Sequence, residues 1–392
     1  MKRIAVIGAG AAGCFCAAEL RRRLPAVKVD VYESGPKPLA KVAITGGGRC
    51  NLTNSFEGIR SLGEAYPRGE RLMKRLLRVF SQEDTWRWFE AAGVPLVLQD
   101  DHCVFPRSQD AMDIVHALLR KMEGVNLMLR TPVHAIGPDL TVDGEAYDAV
   151  VVTTGGAPKG LPLLEGLDLE WVPTVPSLFT FTIQDEGLRA LMGLVVEATV
   201  SLPGTPFKAD GPLLITDWGL SGPAVLKLSS YAARHLHDVG YQAPLSVNWL
   251  SLSEAETRAL LEELSAANPR KQVSNTPPEG LQARLWNYLT VKAGLRPDIR
   301  WAELGSKGLN KLVNTLTQDS YVIAGKTKFR DEFVTCGGVA LSNLNPATLE
   351  CKQYPGLYFA GEVLDIDAIT GGFNLQAAWT TGYVAAQSIA SK

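Results

Sequence analysis

The chain begins with a glycine-rich segment that constrains the fold more than any other part of the sequence. Ile4 to Ile7 is a short apolar run rich in β-branched residues, which predicts a buried parallel strand. Gly8, Gly10 and Gly13 follow in the pattern G-x-G-x-x-G, where a helix should begin. In such a unit the first glycine permits a tight turn, the second lets a pyrophosphate approach the backbone, and the third lets helix and strand pack closely.

A second strand and an acidic residue complete this unit. Val27 to Tyr32 is the next apolar strand pattern, and it ends at Glu33, twenty residues after Gly13. A carboxylate at this position is placed to accept hydrogen bonds from an adenosine ribose. The order strand, glycines, helix, strand and acid therefore predicts a dinucleotide-binding unit. The cofactor contacts expected in it are Gly8, Gly10, Ala11, Ala12, Gly13 and Glu33.

Composition limits the classes of protein that need to be considered. A chain of 392 residues with 46% hydrophobic and 20% charged residues is expected to form about two globular domains. The net charge of -2 and the lack of an evident basic stripe argue against a nucleic-acid partner. No long apolar run predicts a membrane span, and no residue spacing predicts a metal site. Six cysteines without a C-x-x-C pair favour reduced thiols and a cytoplasmic location.

A second glycine-rich segment, Gly35 to Asn54, is too dense in polar side chains for a flexible linker. Three consecutive glycines, Gly46 to Gly48, disfavour both helix and strand, so we expect a loop whose backbone approaches a ligand. The candidate ligand contacts in this loop are Lys41, Gly47, Gly48, Arg49, Cys50, Asn51 and Thr53.

Another buried parallel strand is predicted from Asp148 to Thr154, and it ends in Gly155 and Gly156. Ligands of open α/β sheets bind beyond the carboxyl ends of the strands, so Thr154, Gly155 and Gly156 are expected near the first glycine loop. Val133 to Ile136 alternates in polarity and predicts a further short strand.

The pattern changes from about Phe179. Strand-like segments joined by Pro and Gly turns run to Trp249, and helix-forming segments follow within about 253–310. This composition predicts an insertion, so that the cofactor domain is discontinuous. The predicted limits are 1–183 with 335–392 for the cofactor domain and 184–334 for the inserted, substrate-side domain.

The last sixty residues return to glycine-rich patterning. Thr335 to Val339 is expected to be a loop, and the strand that begins near Pro355 ends at Gly361 and Glu362. Gly371 and Gly372 then open a long helix whose free N–H groups and partial positive charge face whatever precedes it. The expected cofactor contacts here are Gly361, Glu362, Gly372, Phe373, Asn374 and Leu375.

Taken together these motifs resemble the BaiN/RdsA-like family of bacterial FAD-dependent oxidoreductases, flavoproteins with two dinucleotide-binding domains. The family includes members described as 3-dehydro-bile-acid reductases and is similar to aminoacetone oxidase. The resemblance rests on Gly8-x-Gly10-x-x-Gly13, Thr45-Gly-Gly-Gly-Arg-Cys-Asn-Leu-Thr-Asn54, Trp218-Gly-Leu-Ser-Gly-Pro-Ala224, Gly337-Gly-Val339, Gly356-Leu-Tyr-Phe-Ala-Gly-Glu-Val-Leu-Asp365 and Gly371-Gly-Phe-Asn374.

The resemblance implies an α/β fold, in which a discontinuous Rossmann-like FAD-binding domain carries an inserted β-barrel-like domain with a helical addition. It implies non-covalent FAD, with Val133 at the adenine and with Gly361 and Glu362 at the pyrophosphate and ribitol. By family position Arg49, Cys50 and Asn51 would lie beside the flavin as catalytic candidates. Cys50 could instead only shape the glycine loop.

Three functions are consistent with this resemblance. The first is an FAD-dependent oxidoreductase that acts on a small organic substrate as an NAD(P)H-linked reductase. No second G-x-G-x-x-G follows a strand, so NADH or NADPH would bind only transiently. The second is an amine oxidase that uses oxygen, and the third is a flavin-binding RNA-associated or regulatory protein. We expect a small-molecule substrate and neither a nucleic-acid nor a membrane partner; the sequence leaves the oligomeric state open.

Overall fold

The computed structural model describes residues 3–156, 161–326 and 334–392. The chain divides into two compact units, one formed by Met1–Pro176 with Val334–Lys392 and the other by Ser177–Phe333. The first unit contains a five-stranded sheet, and the second contains a closed six-stranded barrel. These findings confirm the predicted fold class, an α/β Rossmann-like domain interrupted by a β-barrel.

The strands of the described residues are numbered in chain order. They are β1 (Arg3–Ile7), β2 (Lys28–Tyr32), β3 (Thr53–Asn54), β4 (Leu96–Leu98), β5 (Cys103–Pro106), β6 (Asn126–Met128), β7 (Thr141–Val142), β8 (Glu145–Ala146), β9 (Ala149–Val152), β10 (Trp171–Ser177), β11 (Phe181–Ile183), β12 (Val195–Ser201), β13 (Lys208–Ile215), β14 (Gly219–Ser221), β15 (Ala243–Asn248), β16 (Asp319–Lys326), β17 (Val334–Val339) and β18 (Leu357–Phe359).

The α-helices are numbered in the same way. They are α1 (Ala11–Arg23), α2 (Ala40–Gly48), α3 (Leu62–Ala65), α4 (Glu70–Leu76), α5 (Gln82–Ala91), α6 (Ala111–Lys121), α7 (Glu186–Arg189), α8 (Pro223–Tyr231), α9 (Ala233–Asp238), α10 (Glu254–Ala267), α11 (Ala283–Lys292), α12 (Gly305–Thr317) and α13 (Phe373–Ala390). Of the described helices none is long and apolar enough to cross a membrane.

The parallel sheet of the first unit has the strand order β18-β9-β1-β2-β6. Strand β1 lies in the middle and pairs with β2 on one side and β9 on the other, with Ile4 opposite both Val29 and Ala149. Because the chain leaves β1 toward β2 and returns later to β9, the carboxyl end of β1 is a topological switch point, where such sheets bind ligands.

Two helices, α1 and α13, pack against each other with very little space between their backbones. A Cβ atom added at Gly382 of α13 would lie 2.7 Å from the carbonyl oxygen of Ala12 in α1. Phe15 of α1 contacts the ring of Trp379 of α13, with centroids 5.5 Å apart, and both side chains are fully buried. The last helix of the chain is therefore fixed beside the first glycine loop.

The second unit is built on the antiparallel barrel β11-β14-β13-β12-β15-β16, which closes on itself. Helices α10, α11 and α12 bury Leu261, Trp286 and Leu312 in the same hydrophobic cluster as barrel residues such as Leu245. The buried Asp319 of β16 accepts hydrogen bonds from Trp249 Nε1 (2.9 Å) and Tyr321 Oη (2.6 Å). The helical addition that the resemblance implies is present as α10, α11 and α12.

Three local predictions were wrong. Thr335–Val339 is not a loop but part of β17, which pairs with β10, because Gly337 and Gly338 allow its backbone to lie against neighbouring carbonyl groups. Val133–Ile136 is not a strand, since the Asp143 carboxylate accepts hydrogen bonds from the N–H groups of His134 and Ala135. The segment after Gly35 is not a loop throughout, because helix α2 begins at Ala40; its glycines Gly46 to Gly48 do lack right-handed helical geometry, with φ values of +58°, +70° and +84°.

Candidate functional site

A cavity of about 310 Å³ lies at the carboxyl ends of β1 and β9, beside the N-termini of α1 and α13. It brings together residues that are distant in sequence, and many of them were predicted as cofactor contacts. The predicted residues that line it are Gly8, Gly10, Ala11, Ala12, Glu33, Lys41, Thr154, Gly155, Gly361, Glu362, Asn374 and Leu375.

The three glycines of the first loop occupy different environments. Gly8 has a φ of +109°, and a Cβ there would lie 2.6 Å from the Thr153 carbonyl oxygen. A Cβ at Gly13 would lie 1.9 Å from the Gly8 carbonyl oxygen, so this glycine permits helix α1 to approach the strand. At Gly10 no atom lies within 4 Å of the Cβ position, and the residue faces the cavity. The loop thus leaves open space where a phosphate could approach backbone N–H groups.

Glu33, at the end of β2, is tied to the glycine loop by hydrogen bonds. Its Oε2 accepts from the N–H of Ala9 (2.9 Å), and its Oε1 accepts from the N–H of Gly35 (2.7 Å). Oε1 also accepts from Ser34 Oγ (3.4 Å). A carboxylate has about four acceptor positions, so Oε2 can still accept a further hydrogen bond. The side chain is half-buried and lines the cavity, which suits a ligand with vicinal hydroxyl groups.

Another part of the cavity wall carries polar side chains. Thr154 Oγ1 is buried and has no hydrogen-bond partner among the described residues. Lys41 Nζ lies 3.4 Å from Glu362 Oε2, while Glu362 Oε1 accepts from the N–H of Thr335 (2.8 Å). A buried hydroxyl without a partner is costly unless a ligand or water satisfies it, so this wall is suited to a polar ligand.

The first turn of α13 is held in place by its own side chains and by the chain before it. Asn374 Oδ1 accepts from the N–H of Ala368 (2.9 Å), and Asn374 Nδ2 donates to the carbonyl oxygen of the same residue (2.9 Å). Tyr66 Oη donates to the Phe373 carbonyl oxygen (2.9 Å). Asn374 and Leu375 line the cavity, so the N-terminus of this helix, with its free N–H groups and partial positive charge, faces a ligand there.

Two predicted contacts at this helix do not line the cavity. Phe373 is buried, with its ring 5.0 Å from that of Phe56. Gly372, the N-cap residue, has a φ of +88°, and a Cβ there would lie 2.5 Å from the Thr53 carbonyl oxygen and 2.7 Å from Asn51 Oδ1. This glycine therefore allows the 51–53 segment to lie against the start of α13.

The residues predicted as catalytic lie next to each other but outside the cavity lining. Arg49 is exposed, with Nε donating to the Gly46 carbonyl oxygen (3.1 Å) and with its guanidinium 4.6 Å from the Phe105 ring centroid. Cys50 is fully buried, and burial raises the pKa of its thiol to about 12. Asn51 Oδ1 is buried and has no partner in the described part of the chain.

The thiol of Cys50 is thus protonated at neutral pH and enclosed by the core, a position that favours a packing role. Asn51 differs, because its unpaired carbonyl oxygen lies beside the N-terminus of α13. An orphaned acceptor of this kind is satisfied by a donor group on a ligand or by water.

Other predicted contacts also lie away from the cavity lining. Thr53 Oγ1 donates to Gln376 Oε1 (2.6 Å) inside the protein, which fixes the segment rather than exposing it. Gly47 and Gly48 have φ values of +70° and +84° with open space at their Cβ positions. A Cβ at Gly156 would lie 2.2 Å from Thr335 Oγ1.

Val133, predicted at the adenine, is half-buried and lies two residues beyond Thr131. The N–H of Thr131 donates to the carbonyl oxygen of Glu33 (2.8 Å), which brings this segment to the end of β2.

Some lining residues were missed. Ala9 lies inside the glycine motif, and Lys37 and Leu39 follow Glu33 by a few positions, so their proximity to the motif was the available signal. Thr45 stands in the segment predicted to face the ligand. Ile366 carries no local signal, because only the packing of the segment before α13 brings it to the cavity.

The parallel sheet, the glycine loop, the acidic end of β2 and the cavity that faces two helix N-termini define a Rossmann-type dinucleotide-binding protein. The chain belongs to the HI0933-like family, whose Rossmann-domain pattern matches residues 2–388.

Proteins similar to it include two bacterial enzymes and one solved structure. A ribosomal RNA dihydrouridine synthase of Escherichia coli (strain K12) is 31% identical over 408 residues, covering 98% of this chain and 97% of the relative. A 3-dehydro-bile acid delta(4,6)-reductase of Clostridium scindens is 27% identical over 419 residues, covering 100% of both chains. The structure of a 3-ketosteroid delta1-dehydrogenase from Sterolibacterium denitrificans shares the fold with a TM-score of 0.51 at 14% identity, covering 100% of both chains.

Proposed function

We propose that the protein is an FAD-dependent reductase that saturates a carbon–carbon double bond conjugated to a carbonyl group, with NADH or NADPH as electron donor. The names of two relatives describe reactions of this type. A dihydrouridine synthase saturates the ring double bond of uridine, which is conjugated to a carbonyl. A 3-dehydro-bile acid delta(4,6)-reductase acts on double bonds conjugated to a 3-oxo group.

In this proposal the cavity holds FAD without a covalent bond. The N-terminus of α1 at Gly10 to Ala12 would bind the pyrophosphate, and Glu33 would accept hydrogen bonds from the adenosine ribose. Thr154 and Glu362 would bind polar groups of the remaining chain of the cofactor. The remaining candidate contacts from the sequence are Gly47, Gly48, Arg49, Asn51, Thr53, Val133 and Gly156.

The main structural support for the proposal is that the N-terminus of α13 lies at the cavity. A helix N-terminus stabilises nearby negative charge by roughly 0.3–2 kcal/mol. FAD supplies a two-electron carrier, and its ring gains negative charge on reduction. Asn374 fixes this helix terminus through its two hydrogen bonds to Ala368. Asn51 Oδ1 is buried and unpaired beside the same terminus and would accept a hydrogen bond from the ring.

The same site supports a second substrate candidate. Similarity to the ribosomal RNA dihydrouridine synthase extends over nearly the whole of both chains, which favours a uridine base in RNA as the conjugated substrate. Similarity to the bile acid reductase, also over both whole chains, favours a small free enone. The reaction type is shared, and the two candidates differ in what carries the double bond.

Anaerobic mixing of the purified yellow protein with single reagents tests this function. We expect NADH or NADPH to bleach the flavin absorption and aminoacetone to leave it unchanged. A 3-oxo-4,6-diene steroid, or a uridine-containing RNA, should then restore the oxidised spectrum without oxygen. Bleaching by the amine but by neither nicotinamide would instead support an oxygen-using amine oxidase.

A further inference from the structure

Helix α4 and the turn that follows it carry four basic side chains, Arg71, Lys74, Arg75 and Arg78, here called the α4 basic stripe. Their spacing of i, i+3, i+4 and i+7 aligns them along a helix, and Arg78 follows in the turn that ends α4. All four are exposed. None forms an ion pair or a side-chain hydrogen bond with any residue that the structure describes.

Some surface cations of the first unit have acidic partners, whereas others, such as Arg49, contact no acidic group within the described ranges. Arg22 and Arg23 pair with the buried carboxylate of Glu19, at 2.7 and 3.2 Å. Arg87 pairs with Asp84 at 2.7 Å. The acid of α4 itself, Glu70, lies against Gly63 and not in the stripe. The four positive charges of the stripe are therefore uncompensated, although the whole chain has a net charge of -2.

The stripe lines a surface groove of about 570 Å³. Its apolar lining comes from Leu72, Leu341, Leu344 and Pro346. No lining residue described for this groove is aromatic, so it offers no platform for stacking a base. Cations without aromatic side chains bind a phosphate backbone and do not read base identity.

The N-terminal end of the helix that carries the stripe contacts a residue of the cofactor cavity wall. Gly69, the N-cap residue of α4, packs on Ile366, with 2.7 Å between its Cβ position and Ile366 Cγ1. Ile366 lines the cavity. Arg68, one residue earlier, forms a buried ion pair with Asp367 and donates from Nε to Oδ1 (2.6 Å). These contacts fix the helix that carries the stripe at the segment leading into α13.

The length of the stripe matches a run of phosphates. Seven helical residues span about 10.5 Å at roughly 1.5 Å per residue. Phosphates of a stacked strand recur at about 3.4 Å along the axis, so the stripe spans about three phosphate intervals, that is about four phosphates.

We propose that the α4 basic stripe binds the phosphate backbone of an RNA whose uridine base is presented to the cofactor site. The inference rests on the second substrate candidate of the proposed function. The net charge of -2 does not reveal this surface, because acidic residues elsewhere in the chain outweigh the four positive charges of the stripe.

A matched pair of variants tests the stripe. The first replaces Arg71, Lys74, Arg75 and Arg78 with Gln. The control replaces four exposed cations of the second unit, Arg270, Lys271, Lys307 and Lys311, with Gln and changes the net charge by the same amount. Binding of single-stranded polyuridylate to each holoprotein is measured at several salt concentrations, with FAD content and melting temperature as folding checks.

We expect the stripe variant to bind at least tenfold more weakly at low salt, and the control to bind like the wild type. Each phosphate contact contributes about 0.7 to the slope of log affinity against log salt for single strands, so loss of four contacts lowers the slope by about 3. Polyadenylate should behave as polyuridylate does, because the groove reads no base.

Equal losses in both variants, or an unchanged slope in the stripe variant, would overturn the proposal. So would binding to anionic phosphatidylserine vesicles that depends on the stripe while RNA binding does not. The proposed reductase function fails separately, if neither NADH nor NADPH reduces the flavin of the wild type. Intact RNA binding with no flavin reduction, or the reverse, thus identifies which of the two inferences is wrong.

Discussion

Substitutions at Gly10 test whether the first glycine loop binds the cofactor or serves only the fold. A side chain added there would enter open space in the cavity and would not clash with the protein. The φ of -84° and ψ of -166° at Gly10 suit any residue, and Gly10 is the N-cap of α1 without a side-chain hydrogen bond. Asp and Asn both favour the N-cap, so Gly10→Asp and Gly10→Asn should change folding stability by only a few tenths of a kcal/mol. Both side chains would project into the cavity where the pyrophosphate is expected.

The two variants differ in one negative charge. Two unit charges about 6 Å apart interact by roughly 3 kcal/mol at an effective dielectric constant of about 20. We therefore expect Gly10→Asp to bind FAD about 100-fold more weakly than Gly10→Asn, which itself binds more weakly than the wild type. Titration of the apoproteins with FAD at low and high salt measures this difference, which should shrink as salt screens the repulsion.

Thermal melts of the same apoproteins provide the control. Wild-type melting temperatures with impaired FAD binding confirm that the loop serves the cofactor. The reasoning is refuted if both variants bind FAD as the wild type does. Lower melting temperatures in both variants would instead show that Gly10 serves the fold.

Three further substitutions test individual residues. Glu33→Ala should weaken FAD binding by about 1–3 kcal/mol, because it removes a charged acceptor and leaves the N–H of Ala9 without its partner. Glu33→Gln keeps one acceptor oxygen and should weaken FAD binding less. Titration of each apoprotein with FAD measures both effects. Cys50→Ala should retain the rate of flavin reduction, because burial raises the pKa of its thiol to about 12, and it should lose about 1 kcal/mol of stability, because it removes a buried side-chain atom. Gly372→Ala should lower the melting temperature by the equivalent of about 1–3 kcal/mol, because its Cβ would meet the Thr53 carbonyl oxygen and its φ is positive.

Contrary outcomes for these three are specific. Unchanged FAD affinity in Glu33→Ala would mean that this carboxylate only organises the loop. A rate of flavin reduction that falls by more than tenfold in Cys50→Ala, in protein that keeps its FAD, would restore a catalytic role for the thiol. A Gly372→Ala variant that melts as the wild type does but has an altered flavin potential would place this glycine at the ring.

Short-range patterns made the Rossmann unit predictable. The apolar β1, the glycines and Glu33 lie within about thirty residues, and each role depends on local backbone geometry. The helix after Gly372 was equally clear, because paired glycines precede a long apolar face. These features required no knowledge of distant contacts.

Features set by distant contacts were missed. Thr335–Val339 reads as a loop because it contains two glycines, yet its backbone is held by pairing with β10, more than 150 residues earlier. Ile366 reaches the cavity only through the packing of the segment before α13. The α4 basic stripe was missed because net charge averages over the surface, whereas binding depends on which cations lack a partner.

The most direct test of the account is a single turnover without oxygen. The holoprotein is reduced with one equivalent of NADH or NADPH, freed of nicotinamide, and mixed with a 3-oxo-4,6-diene steroid or a uridine-containing RNA. The account predicts that flavin reoxidation yields one saturated double bond for each FAD, with a hydride added at the β-carbon and a solvent proton at the α-carbon. Reoxidation only after oxygen is admitted, with both substrates recovered unchanged, would contradict it.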